Sequence, residues 1–137
     1  MKRRTLNKLL LFLPGLFPVI GHPQLQIPSR IDSRITATPI QVSPLAGFQY
    51  YSGPNLWPKM NIKDELSLHR EPANPYDKRA VALFWDGFKI GYLPRRENTR
   101  IAHMLDRAKK LKARVIDLEV SDNPWERIRV EVVEIIN

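Results

Sequence analysis

The sequence predicts a mainly β domain of about six strands with one or two helices, in the size range of a small, partly open barrel. Three observations point that way. Short apolar or alternating runs recur from Pro44 onward, punctuated by Gly, Pro, Asn and Asp. An Asp86-Gly87 pair lies directly between two such runs. Only one stretch carries a sustained helical period.

Taken in order, Leu45 to Tyr51 is short and aromatic and reads as a strand stopped by Ser52-Gly53-Pro54. Leu66 and Leu68 alternate with polar residues, as in a strand with one buried face. Ala80 to Trp85 is almost continuously apolar, which suits a strand covered on both faces. Asp86-Gly87 then predicts a hairpin into Phe88–Tyr92, because both turn positions need positive φ. The helix is predicted from one apolar stripe of Ile101, Met104, Leu105, Ala108 and Leu111, with Pro94 near its start and Asn98 or Thr99 as cap. Ile116, Leu118 and Val120 alternate in a fifth strand, Ser121-Asp122-Asn123-Pro124 turns, and Ile128, Val130 and Val132 alternate in the last. The phase slips at Val133 and Ile135, which predicts a bulge or twist.

The segment before Pro44 has a different character. Residues 1–21 begin with Lys2, Arg3, Arg4 and Lys8 and continue as an apolar run from Leu9 to Ile20 without an acid. That is the layout of an export signal, with Gly21 suited to cleavage, and Arg3-Arg4 resembles the twin-arginine pattern. The run is short for a membrane span and holds Pro14 and Pro18. The expectation is an exported, periplasmic or membrane-associated protein if this segment is used, with membrane contact confined to residues 9–20, and a cytoplasmic one otherwise. Residues 22–43 are rich in Pro, Ser, Thr and Gln and are expected to be a poorly ordered linker, so that the folded domain spans residues 44–137.

Composition narrows the function. There is no cysteine, so no disulfide framework or thiolate metal site exists, and His22, His69 and His103 show no ligand spacing. No metal or cofactor is implied. Phosphate loops and nucleophile elbows are absent, and the carboxylates Asp64, Glu65, Glu71 and Asp77 are ordinary loop and strand acids until a partner is found for them. The net charge of +8 owes half its value to the first ten residues. Between Arg95 and Arg114, however, eight cations face only Glu97 and Asp106. The four tyrosines, Tyr50, Tyr51, Tyr76 and Tyr92, all fall at predicted strand ends or turns. Cations interleaved with exposed rings suit single-stranded nucleic acid, whose bases stack while its phosphates meet charge. A solvated helix face and a core tyrosine are the plainer alternatives. Outside nucleic-acid binding, the readings are an exported or envelope protein-interaction domain, with an operon-encoded partner, and last a hydrolase.

One string is long and specific: Arg70-Glu71-Pro72-Ala73-Asn74-Pro75-Tyr76-Asp77-Lys78-Arg79-Ala80-Val81. With Gly47-Phe48-Gln49-Tyr50-Tyr51 before it and Gly91-Tyr92-Leu93-Pro94 after it, the chain closely resembles the HIRAN domain family over roughly Pro44 to Ile136. The resemblance implies an OB-like β-barrel with helical additions, and a module that captures the 3′-hydroxyl end of single-stranded DNA. By that resemblance Tyr76 and one of Tyr50 or Tyr51 stack on the last bases, Asp77 accepts a hydrogen bond from the terminal hydroxyl, and Asn74 helps hold the end. Tyr92 lies near the pocket by motif position, and Arg95 and Arg96 are the neighbouring cations. Two positions depart from the family's end-binding member: Gln49 stands where that member has a cation, and Tyr92 where it has histidine. Zinc binding and ATP hydrolysis belong to other domains of fused members and do not carry over.

Overall fold

The computed structural model describes residues 35–137. Asp86 and Gly87 have φ of 46° and 81°, the paired positive values of a type I′ turn, and they join β3 (Ala80–Trp85) to β4 (Phe88–Tyr92) as predicted. The other strands are β1 (Thr36–Pro44), β2 (Glu65–Glu71), β5 (Leu111–Leu118) and β6 (Ile128–Ile136). Two short helices, α1 (Gly53–Leu56) and α2 (Thr99–Asp106), complete the list with single 3-10 turns.

All strand pairs are antiparallel, in the order β1-β6-β5-β2-β3-β4. The order closes on itself just after β1. Ala46 exchanges backbone hydrogen bonds with Tyr92 at 2.8 and 2.9 Å, which lays the chain leaving β1 against β4. A Cβ on Gly91 would sit 2.5 Å from the Ala46 carbonyl oxygen, and Gly91 has φ of 155°, so this closure needs glycine there. The result is the small six-stranded, OB-like barrel that the sequence predicts. Its interior is filled by Leu45, Phe48, Leu66, Leu83, Ile90, Ile101, Val115, Ile128, Val130 and Val132, all essentially sealed from solvent. Burial of Ala80, Val81, Ala82 and Leu83 in succession confirms that β3 is covered on both faces.

Several element boundaries differ from the sequence reading, each for a local reason. Leu45 to Tyr51 is not a strand. After the Ala46 bridge, Gly47 takes φ of 73° and turns the chain into a 3-10 helix at Phe48–Tyr50. Phe48 is thereby driven into the core, edge-on to Trp57 at 5.9 Å and so close to Gly53 that no Cβ fits there. The predicted helix stops at Asp106, because Ala108 adopts φ of 58° and breaks the ladder. Leu111 therefore begins β5 and reaches the core as a strand residue. In β5 Ala113 and Val115 rather than Ile116 are buried, and a register shift between Val115 and Asp117 changes the phase so that Leu118 packs against the core. Val120 is 98% exposed and outside the strand. The phase slip of β6 reflects burial of both Val132 and Val133, and the register irregularity opposite them lies in β1, between Pro39 and Gln41.

The start of the folded part also moves. Thr36 to Ser43, expected in the linker, pair with β6 as most of β1. Ser43 is fully buried and its Oγ donates to Glu97 Oε2 at 2.7 Å. Their alternation is masked in sequence by Pro39 and the irregularity beside it. The signal-like residues 1–21, the apolar run 9–20 and the remainder of the linker up to residue 34 lie outside the described residues. Among the described residues no helix is long and apolar enough to cross a membrane.

Candidate functional site

The connection from β2 to β3 is a built loop. The Asn74 amide N–H bonds to the Glu71 carbonyl at 3.1 Å, and Asn74 Oδ1 accepts from the backbone of Tyr76 at 2.9 Å and of Asp77 at 3.3 Å. Asp77 Oδ1 accepts from the Arg79 amide at 2.9 Å, and the Asp77 carbonyl accepts from Ala80 at 3.1 Å. These are the local turns that Asn and Asp favour. Arg70 ties the loop base down: its guanidinium forms a two-pronged pair with Asp106 of α2 at 2.9 and 3.2 Å and donates to the Ala80 carbonyl at 3.0 Å. It also holds the Asp106 carboxyl below its ordinary range. With the backbone so fixed, the Tyr76 ring is left 84% exposed.

Beside that ring is a hollow of about 290 Å³. Tyr51, Tyr76, Tyr92 and Trp125 supply its rings, and Asn74, Asp77 and Arg95 its polar groups. Six of the nine residues predicted for the site thus come together: Tyr51, Asn74, Tyr76, Asp77, Tyr92 and Arg95. Gln49, Tyr50 and Arg96 are exposed and do not line it; Tyr50, 79% exposed, is the member of its pair that points to solvent. Asn74 contributes mainly by shaping the loop, since its side-chain carbonyl already accepts two amides and its amino group donates to Glu71 at 3.2 Å.

Asp77 is held from both sides. Its second oxygen accepts from Asn98 Nδ2 at 2.6 Å, and Asn98 is itself 0% exposed. Burial pushes the Asp77 carboxyl up, but the Arg79 amide, the Asn98 amide and the charges of Arg95 and Arg79 outweigh it, so the group lies below its ordinary value. Asn98 was expected as a helix cap. It does sit at the cap position, with φ of −93° and ψ of −10°, but its side chain caps nothing and reaches Asp77 instead.

Tyr92 belongs to a second network. Its hydroxyl donates to Glu71 Oε1 at 2.8 Å and accepts from Lys89 Nζ at 2.9 Å, while Lys89 also pairs with Glu71 Oε2 at 2.8 Å. Burial and the Glu71 carboxylate push the Tyr92 hydroxyl up to about 12, against the Lys89 ammonium. Lys89 stays protonated despite burial, because Glu71 and Tyr92 favour its charge. Burial opposes the ionisation of Glu71, and Lys89, Tyr92 and Asn74 more than reverse that. The Tyr51 ring rests edge-on to Tyr92 at 5.6 Å, with Lys89 Nζ 5.5 Å from its centroid. Tyr92 thus lines the pocket with its hydroxyl already committed.

Three of the eight cations predicted to cluster are engaged by acids. Lys109, Lys112 and Arg114 meet Glu134 at 3.5 Å, Glu65 at 3.0 Å and Glu131 at 2.6 Å, because the chain past Asp106 runs beside β2 and β6 rather than along a helix. Of the eight, only Arg95 lines the pocket. Asp64 is likewise engaged, accepting from the Trp85 indole at 2.9 Å and the Asn61 amide at 2.8 Å. Among the described residues no acid and histidine cluster could hold a metal. A larger hollow of about 540 Å³ lies over β5 and β6, but its walls are aliphatic residues, Lys63 and the ion-paired Glu65, Lys112, Arg114 and Glu131, without rings.

Residues 40–134 match the HIRAN domain model, and the chain belongs to the HIRAN domain family. Helicase-like transcription factor of Oryctolagus cuniculus is 33% identical over 63 residues, which cover 45% of this chain and 6% of that protein. Among solved structures, a protein from Lactobacillus plantarum superposes with a TM-score of 0.65 at 20% identity, over 74% of this chain and 98% of its own. The HIRAN domain of human HLTF superposes with a TM-score of 0.55 at 22% identity, over 69% of this chain and 73% of its own. At these identities the two structures bear on the fold alone.

Proposed function

We propose that the domain is a nucleic-acid-binding module rather than an enzyme, and that its pocket captures the 3′-hydroxyl end of a single strand. The observation that carries this reading is Asp77, a carboxylate kept ionised inside a pocket walled by four aromatic rings. Two of its lone-pair positions are taken by Arg79 and Asn98, which leaves room to accept a hydroxyl. A terminal phosphate in that place would be repelled, by roughly 4 kcal/mol at most for unit charges at an effective dielectric near 20. Such a site reads an end rather than a base sequence, since every base offers a face to stack.

The full chain should therefore bind a short oligonucleotide ending in a 3′-hydroxyl more tightly than the same strand ending in a 3′-phosphate. Asp77→Asn should narrow the gap, because the amide removes the repulsion yet still accepts a hydrogen bond. Competition by fluorescence anisotropy at one salt concentration measures both. A wild-type protein indifferent to the end group would defeat the end-capture reading, and one that binds no oligonucleotide at low salt would defeat nucleic-acid binding altogether.

Tyr76→Ala should cost about 1–3 kcal/mol of binding, the usual worth of one base stacked on a ring. Tyr76→Phe should cost much less. Since the ring is exposed, neither change should move the urea midpoint. Equal binding losses in both variants would assign the effect to the hydroxyl and not to stacking.

A further inference from the structure

The end pocket has a neighbour. A second hollow, about 450 Å³, adjoins the first and shares Tyr76, Asp77 and Arg95 with it. Its remaining polar walls are Lys78 and Arg79. We infer that this hollow receives an internucleotide phosphate of the bound strand, which passes over the Tyr76 ring, and that Lys78, Arg79 and Arg95 hold it. The inference rests on the nucleic-acid reading above and adds to it a phosphate site and a direction of travel.

Three observations support it. First, these cations are left available. Among the described residues none of the three forms an ion pair, unlike Arg70, Lys89, Lys112 and Arg114, and they differ from other unpaired cations such as Arg96 and Lys110 in lining one hollow together. Asp77, the acid lining the same hollow, has its oxygens already serving Arg79 N–H and Asn98. Second, their backbones are fixed. Arg79 is pinned through its amide to Asp77 Oδ1, and Arg95 follows Leu93, whose amide bonds to the Val81 carbonyl at 3.0 Å. Cations displayed from rigid turns lose less freedom on binding than those on a mobile arm. Third, the two hollows adjoin, with Tyr76, Asp77 and Arg95 lining both. A base stacked on that ring has its sugar-phosphate at the ring's edge, so an anion site there fits a polynucleotide better than an isolated nucleoside. Gln49, uncharged and outside both hollows, cannot supply that charge.

The test uses the full chain and short oligothymidylates with a 3′-hydroxyl. Lys78→Gln with Arg79→Gln should reduce the slope of log affinity against log salt by about 0.7 for each cation removed that meets a phosphate. A neutral methylphosphonate placed at the linkages nearest the 3′ end should weaken the wild type several-fold and the double variant hardly at all. The double variant should keep its preference for a 3′-hydroxyl over a 3′-phosphate, because Asp77 retains its bonds from the backbone N–H of residue 79 and from Asn98. An unchanged salt slope would overturn the inference, as would a methylphosphonate penalty no larger at the 3′ end than at the 5′ end; end preference would survive both, so the pocket reading would stand. Competition by polyglutamate as strong as by the oligonucleotide would assign the hollow to acidic peptides instead. A wild type that binds no oligonucleotide removes the pocket reading and this inference with it.

Discussion

A chain shortened to begin at Pro44 should lose its cooperative unfolding transition, or keep it only at a much lower urea midpoint. That is where the change of sequence character suggests cutting, and it would remove nearly all of β1. Thr36 to Ser43 occupy one edge of β6 through seven paired positions, and Ile40 packs against the core. Their removal leaves the β6 backbone groups without partners beside Val130 and Val132, which are fully buried in the intact domain. It also strips Glu97 of the Ser43 and Gln41 side chains that tie the turn before α2 to the sheet. A domain of this size has about 5–15 kcal/mol in total, and loss of an entire paired strand consumes a large part of it. Urea melts of the full chain and the shortened chain, followed by circular dichroism, decide the matter. Coincident melts would mean that β1 contributes nothing to stability and that the pairing is incidental.

The contrast between β1 and the hairpin shows what makes an element legible. Asp86-Gly87 carries its conformation in its own residue types, so β3 and β4 could be bounded to the residue. β1 carries no such mark. Its alternation is broken at Pro39, and only pairing with a strand almost a hundred positions later makes it extended. The helix stripe misled for the reverse reason. Leu111 fits a helical period and also suits the first position of a strand, and the left-handed turn at Ala108 selects the second.

The same division runs through the site. The loop from Glu71 to Ala80 was readable because Asn74, Asp77 and the prolines build it from local bonds. Tyr51 could be separated from Tyr50 only once Gly47 had turned the chain. Trp125 was missed, although its place just after Asn123-Pro124 is the signal that drew attention to Tyr76, a large ring set on a turn. The cation count overstated the free charge, because acids that pair with Lys112 and Arg114 are distant in sequence and adjacent in space. Asn98 had no sequence signal at all, since a residue at a helix cap position has a sufficient local explanation already.

Asn98→Asp should reverse the way stability depends on pH. In the wild type the Asp77 carboxyl is held below its ordinary value, so the stability it contributes is complete above that value and fades as pH falls through the folded-state pKa. The substitution replaces the amide that donates to Asp77 at 2.6 Å with a second carboxyl, at a position with no solvent access. No spare donor is at hand, for Asn98 Oδ1 already lacks a partner. Two carboxylates in contact cannot both stay ionised, so the pair keeps one proton and its upper pKa rises. A raised carboxyl contributes its stability at low pH and loses it as pH climbs from about 4 toward the raised value. Near neutral pH the variant should be less stable than wild type by about 3 kcal/mol, the lower end of the cost of an uncompensated buried charge, because Asp77 borders an open pocket. Near pH 4 the deficit should shrink markedly, as wild type approaches its own acid limb and the variant does not. Urea midpoints of the two proteins at both pH values provide the measurement, with Asn98→Ala as the control that removes the donor without adding charge. If Asn98→Asp and Asn98→Ala showed the same deficit at both pH values, the contact between Asn98 and Asp77 would not govern the carboxyl that the proposed end capture invokes.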